Sequence, residues 1–176
     1  MKNIKVKTVI ISCLTTMILL HPVSLFAQSE YVLPYPSAMP GNKLYGINRV
    51  VENISRYWSF GTIAGFKNSL RYSDKYLVEA KILFEYKQYL LASVALERSN
   101  HYFQESEKFL TESQKKGKDI SEKKTVLSDA AEKHIEVLAY VQSTIPENFK
   151  WTPEKGSSTY LDLEKQILNS ISLRDE

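Results

Sequence analysis

Between Thr62 and Lys116 the apolar positions fall into two stripes separated by a polar interruption near Lys87. Phe66, Leu70, Leu77, Ala80 and Phe84 recur at steps of three, four and seven, the spacing of an amphipathic helix. After Glu85-Tyr86-Lys87-Gln88 the pattern resumes through Leu91, Val94, Ala95, Tyr102, Phe109 and Leu110. Glu97, Arg98, Glu105, Glu107 and Lys108 lie largely on the opposite side. Two such stripes joined by a short connection predict a helical hairpin that buries the apolar faces together. No Gly or Pro marks the turn, so one long bent helix is the competing reading.

Helices of the same kind flank this stretch. Leu44, Ile47, Val50, Val51, Ile54, Tyr57 and Trp58 predict a first helix about four turns long, capped by Asn42 and ended by Ser59-Phe60-Gly61. Its aromatic end, Tyr57, Trp58 and Phe60, reads as closure of the core. Gly117 suits a C-cap for the central stretch, and Asp119 with Glu122 has the spacing of a capping box. Leu127, Ala131, His134, Leu138, Val141 and Ile145 then alternate steps of four and three, a helix of coiled-coil type that Pro146 stops. From Glu147 to Thr159 no pattern holds, and the chain reads as irregular. Leu161, Leu163, Ile167, Leu168 and Ile171 predict a short final helix.

The beginning follows another grammar. Lys2, Lys5 and Lys7 precede a nearly unbroken apolar run from Val9 to Leu20, then His21-Pro22 and Ala27, which together read as a secretory signal over residues 1–27. The run is short for a membrane span, but a retained anchor is the first alternative. Ile10-Ile11-Ser12-Cys13 also matches a lipobox, although the apolar run continues past Cys13, where a lipoprotein signal would have ended. Residues 28–41 follow as a proline-rich arm. Pro34, Pro36 and Pro40 forbid helix there, and Leu33, Tyr35 and Met39 are the expected anchors onto the bundle. Residues 42–146 form the expected helical bundle domain, and residues 147–176 a loop with the short helix.

This division changes how the charge reads. The chain has 23 Lys+Arg against 20 Asp+Glu, and the excess is the three lysines of the first 27 residues. The remainder is balanced, so net charge predicts no attraction to nucleic acid and none to anionic lipid at long range. Cys13 is the only cysteine, so beyond the signal there is no disulfide, thiolate metal site or cysteine nucleophile. The domain must be held by its core, and about 149 residues suffice, since a chain of that size buries roughly 70% of its unfolded surface.

Candidate chemistry is sparse. His101 and His134 lie among helix-borne carboxylates, Glu97, Glu105 and Glu132, and a metal or small-ligand site would need both histidines on one cavity. The residues three before them, Arg98 and Ala131, break the Glu-x-x-His motif of diiron bundles, and the His-Glu-x-x-His zinc motif is missing. The simpler expectation makes His134 a hydrogen-bonded residue of the helix seam. There is no Gly-x-Ser-x-Gly elbow, and Gly61 and Gly65 lack the Lys-Ser/Thr sequel of a phosphate loop. No catalytic residue, metal ligand or cofactor is expected.

Four stretches together resemble a bacterial family of exported helical domains whose function is not defined. Leu33-Pro-Tyr-Pro36 with Met39-Pro-Gly41 is like its proline-rich lead. Asn42-Lys-Leu-Tyr45 through Val51 is similar to its first helix, with Lys43 and Gly46 where members usually carry Pro and Phe. Ser73 to Ala80 with Tyr86 to Tyr102 resembles its hairpin, and Lys133-His-Ile-Glu-Val-Leu138 with Ile145-Pro-Glu147 its third helix. The likeness covers most of Leu33 to Glu147, and the tail after Phe149 departs from it. It implies export and a helical fold, and defines no functional residue.

The expectation is an all-α protein: an up-and-down bundle of about four main helices, an extended proline-rich N-terminal arm and a short C-terminal helix. Its expected role is non-enzymatic, in structure or protein interaction at the cell envelope, with an unknown protein partner or self-association. A metal or small-ligand bundle using His101 and His134 is the alternative.

Overall fold

A computed structural model describes residues 30–175 except positions 37, 58 and 59, and without the side chains of positions 53, 56 and 57. The expectations for residues 1–27 lie outside the described residues. An arm leads into α1 (Lys43–Tyr57), α2 (Thr62–Glu85), α3 (Tyr89–Lys115) and α4 (Ser121–Thr144). A ribbon of β1 (Asn148–Trp151) and β2 (Thr159–Asp162) then precedes α5 (Leu163–Asp175). The protein is mostly helical, as its periodicity predicts.

The hairpin is present and the bent helix is not. α2 stops because Lys87 takes a left-handed backbone conformation, φ 57°. Tyr86 N–H then donates to the Ile82 carbonyl, Lys87 N–H to Phe84 and Gln88 N–H to Leu83. These bonds satisfy the carbonyls a helix end leaves open, the task usually given to a glycine. The turn carries no glycine, which is why its sequence signal is weak.

α2 and α3 approach closely because small residues line their seam. Ala92, Ser99, Ser106 and Ser113 stand seven residues apart on α3, all fully buried. Ser73 and Ser99 each donate to the other's carbonyl across the seam, at 3.0 and 2.9 Å. Gly65 lies under the Phe109 ring, where an added Cβ would come within 2.8 Å of it. The predicted stripe on α2 is buried throughout, whereas Leu91 and Val94 face outward and Ala92, Leu96 and Phe103 take their place in the core.

One apolar cluster joins Leu77, Leu83 and Phe84 of α2 to Leu96, Leu138, Val141 and, from α5, Leu163 and Ile167. A second joins Phe66 and Leu70 to Phe103, Leu110, Ile120 and Ala130. α4 thus runs along α2 with its alternating stripe inward, and α5 closes the bundle against α3 and α4. The short final helix supplies core.

The stretch expected to be irregular contains the β1–β2 ribbon, antiparallel with Phe149 opposite Leu161. Phe149 packs edge-on against Tyr89 with ring centroids 4.7 Å apart, and Leu161 is buried. The Asp162 carboxylate accepts from Lys165 N–H, and the Glu147 carbonyl from Leu163 and Glu164 N–H, so the ribbon caps α5. In the arm, Leu33 and Met39 pack on the first cluster as expected. Tyr35 does not: it is 96% exposed, and Tyr31 anchors the arm instead.

Candidate functional site

α1 is the element whose packing runs against its pattern. Leu44, Ile47, Val50, Val51 and Ile54, the face expected to enter the core, remain 48–60% exposed. The helix lies on the bundle by its opposite side. Glu52 accepts from Lys75 and from the Tyr76 hydroxyl at 2.6 Å. The Tyr45 hydroxyl donates to Glu79 at 2.8 Å and accepts from Arg98 at 2.9 Å, and Ser55 bonds Tyr72. Tyr72, Lys75, Tyr76 and Glu79 present these groups because α2 is apolar on its other sides, where α3 and α4 pack. Period alone gives a stripe but not its direction. The signal for direction was on the partner, in the polar and tyrosine positions of α2.

Burial makes this polar interface consequential. The Tyr76 and Tyr45 hydroxyls are pushed up, in each case first by burial and then by the carboxylate each one meets. The Glu79 carboxyl is also raised by burial, while the Tyr45 hydrogen bond, Lys75 and Arg98 act against that. Its Oε2 has no hydrogen-bond partner among the described residues. Turning α1 over to hide its apolar face would break all of these contacts and set the Tyr76 hydroxyl and the Glu79 carboxylate of α2 against an apolar helix face without their partners, which is costly.

Beside α1 lies an open cleft of about 250 Å³ lined by Arg49, Tyr76, Val94, Glu97, Arg98, His101 and Tyr102. Three groups of basic type meet one carboxylate there. His101 is mostly exposed, with its Nε2 3.6 Å from Glu105. Phe60, expected in the core, is 85% exposed just beyond α1. The side chains of Tyr57 and Trp58 lie outside the described residues.

His134 is elsewhere, fully buried between α2 and α5. Its Nε2–H donates to Asp74 at 2.7 Å, and its Nδ1 accepts from Arg174 Nε at 3.0 Å. Asp74 also accepts from the Tyr31 hydroxyl at 2.8 Å, so the chain Arg174–His134–Asp74–Tyr31 ties α5, α4, α2 and the arm together. Arg174 further donates to Asn100, Ser99 and the Ser170 carbonyl. Burial holds the imidazole below its ordinary pKa and brings Arg174 down to about 10. With both ring nitrogens engaged, His134 is a seam residue. It shares no cavity with His101, and among the described residues no group of three His, Cys, Asp or Glu could hold a metal ion.

No described helix is long and apolar enough to cross a membrane. Comparison with curated proteins and with solved structures finds no match. A family model, described as a domain of unknown function, DUF5667, matches residues 37–148, from the arm through α1 to α4 and into β1. The chain belongs to the DUF5667 family.

Proposed function

We propose that this protein is a non-enzymatic interaction module of the cell envelope, exported by its N-terminal segment, and that its contact surface is the outward face of α1. One observation carries the reading: α1 is fixed by its polar side, and its apolar side enters no core among the described residues. Soluble domains rarely leave a contiguous apolar face of this kind unless it is used. The interior offers the reading no competitor. His134, Asp74 and Arg174 are fully engaged with one another, and the chain carries neither a nucleophile elbow nor a phosphate loop.

A photo-crosslinking amino acid placed at Val51 in intact cells tests this. The expected result is crosslinking to an envelope component from Val51 and none from Ser128, on the far side of the bundle. Equal or no crosslinking at the two positions would contradict it.

A further inference from the structure

Arginine only donates hydrogen bonds, so the bond from Arg174 Nε at 3.0 Å fixes His134 Nδ1 as a bare acceptor. The ring proton is therefore on Nε2, 2.7 Å from Asp74, and the buried imidazole is neutral. In this state the chain of groups balances, one guanidinium against one carboxylate. Among the described residues, the charged and titratable groups around it come from every neighbouring element. α2 brings Asp74, the arm brings the Tyr31 hydroxyl that donates to Asp74, and α5 brings Arg174. α3 brings Glu107, whose charge acts on Arg174, beside the uncharged Ser99, Asn100 and Phe103.

We propose that His134 and Arg174 form an acid-released latch: a proton taken up at His134 Nδ1 expels Arg174 and undocks the last turn of α5. The added proton sets the N–H of one cation against the N–H of another, so their hydrogen bond becomes a contact of two donors. It also leaves the buried chain with one uncompensated charge, a costly state away from water. The two ends of the chain respond differently. At Nε2 the imidazolium meets the Asp74 carboxylate and that bond strengthens, so α4, α2 and the arm stay joined. The cost falls on Arg174.

Arg174 is placed to leave. It stands one residue before the end of α5, and a helix end opens at far lower cost than the domain as a whole. Leu163 and Ile167, fully buried in the first apolar cluster, hold the beginning of the helix in place. Leu173, half-buried on the second cluster, goes with Arg174. Their departure bares the Phe103 ring, over which the guanidinium sits at 5.0 Å. It also opens one wall of a crevice of about 430 Å³ lined by Leu127, Ala131 and Ile135. Acid thus widens an apolar groove between α3 and α4.

Amide hydrogen exchange of the full chain across neutral and mildly acidic pH tests this, with rates divided by the intrinsic chemical rate at each pH. The expected result is protection over residues 170–175 that falls by up to about tenfold per pH unit below about pH 6.5, the slope of one proton. α2, α3 and the start of α5 should hold theirs over the same range. His134→Gln has no such proton to gain, so its protection over residues 170–175 should be the same at every pH, whatever its level. Asp74→Asn withdraws the carboxylate that favours the imidazolium, so the fall should begin about one pH unit or more lower. Loss of protection across α2, α3 and α5 together would overturn the latch, because acid would then be opening the whole bundle. An unchanged fall in His134→Gln would overturn it too, as would an unmoved one in Asp74→Asn.

Discussion

Lys87 shows what one residue in an unusual backbone state does. A side chain in the left-handed region costs about 1 kcal/mol against glycine, because its Cβ crowds the following carbonyl. Lys87→Gly should therefore raise stability by about 0.5–1 kcal/mol in urea unfolding, the gain being trimmed by the extra freedom of the unfolded chain. His134 is the second single-residue lever. Its folded pKa lies below the ordinary histidine value, through burial first and the neighbouring Arg174 cation second. Its contribution is therefore present above the unfolded pKa near 6.5 and is lost as pH falls from there through the folded value. Stability should decline as pH falls below about 6.5. His134→Gln should flatten that slope and cost about 1–3 kcal/mol at pH 7, since Asp74 or Arg174 loses its partner. Glu79 has the opposite sign. Its raised pKa favours folding below about pH 4.5 and withdraws that support as pH rises, so Glu79→Gln should be neutral or stabilising at pH 7.

Among the elements, the α2–α3 seam depends on small side chains. Gly65→Ala should cost about 1–3 kcal/mol, because the new methyl meets the Phe109 ring, which has to leave its seat in the seam. A change in the denaturation midpoint at constant m would show it. The same seam explains part of what periodicity conveys. Large apolar residues at helical spacing mark α2 and α4, and α5 from Leu163 onward, whereas Leu161, counted with that helix, belongs to β2. The serines that set the closest approach, Ser73 on α2 and Ser99, Ser106 and Ser113 on α3, are polar by composition and invisible to an apolar count, although the three on α3 stand seven residues apart. Leu91 and Val94 continue the apolar stripe, yet Ala92 and Leu96 occupy the inward side. The β1–β2 ribbon escaped notice because four-residue strands give too short an alternation to separate from loop. Phe149 and Leu161, which pin it, are single residues in each strand.

For the whole molecule, the decisive difference is which helices make the core. The pattern predicted five helices and an arm, and all are present, but strength of amphipathicity did not rank them by burial. α1, with a clean apolar stripe, sits on the outside through hydrogen bonds and an ion pair. α5, the shortest helix, fills the interior with Leu163 and Ile167 and completes the His134 network with Arg174. Ile167→Ala should cost about 2–5 kcal/mol, a core penalty from a residue near the end of the chain. The candidate surface was legible as residues and not as a surface, because its direction depends on Glu52 and Tyr45 finding partners on α2.

The most direct measurement is equilibrium unfolding of the double variant Ile47→Gln, Val51→Gln. With the apolar side of α1 facing outward, its stability should lie within about 0.5 kcal/mol of the parent per substitution, as for surface positions. A loss of about 2 kcal/mol or more at each position, the size expected for truncating a core side chain, would mean that this face is buried and would contradict the account.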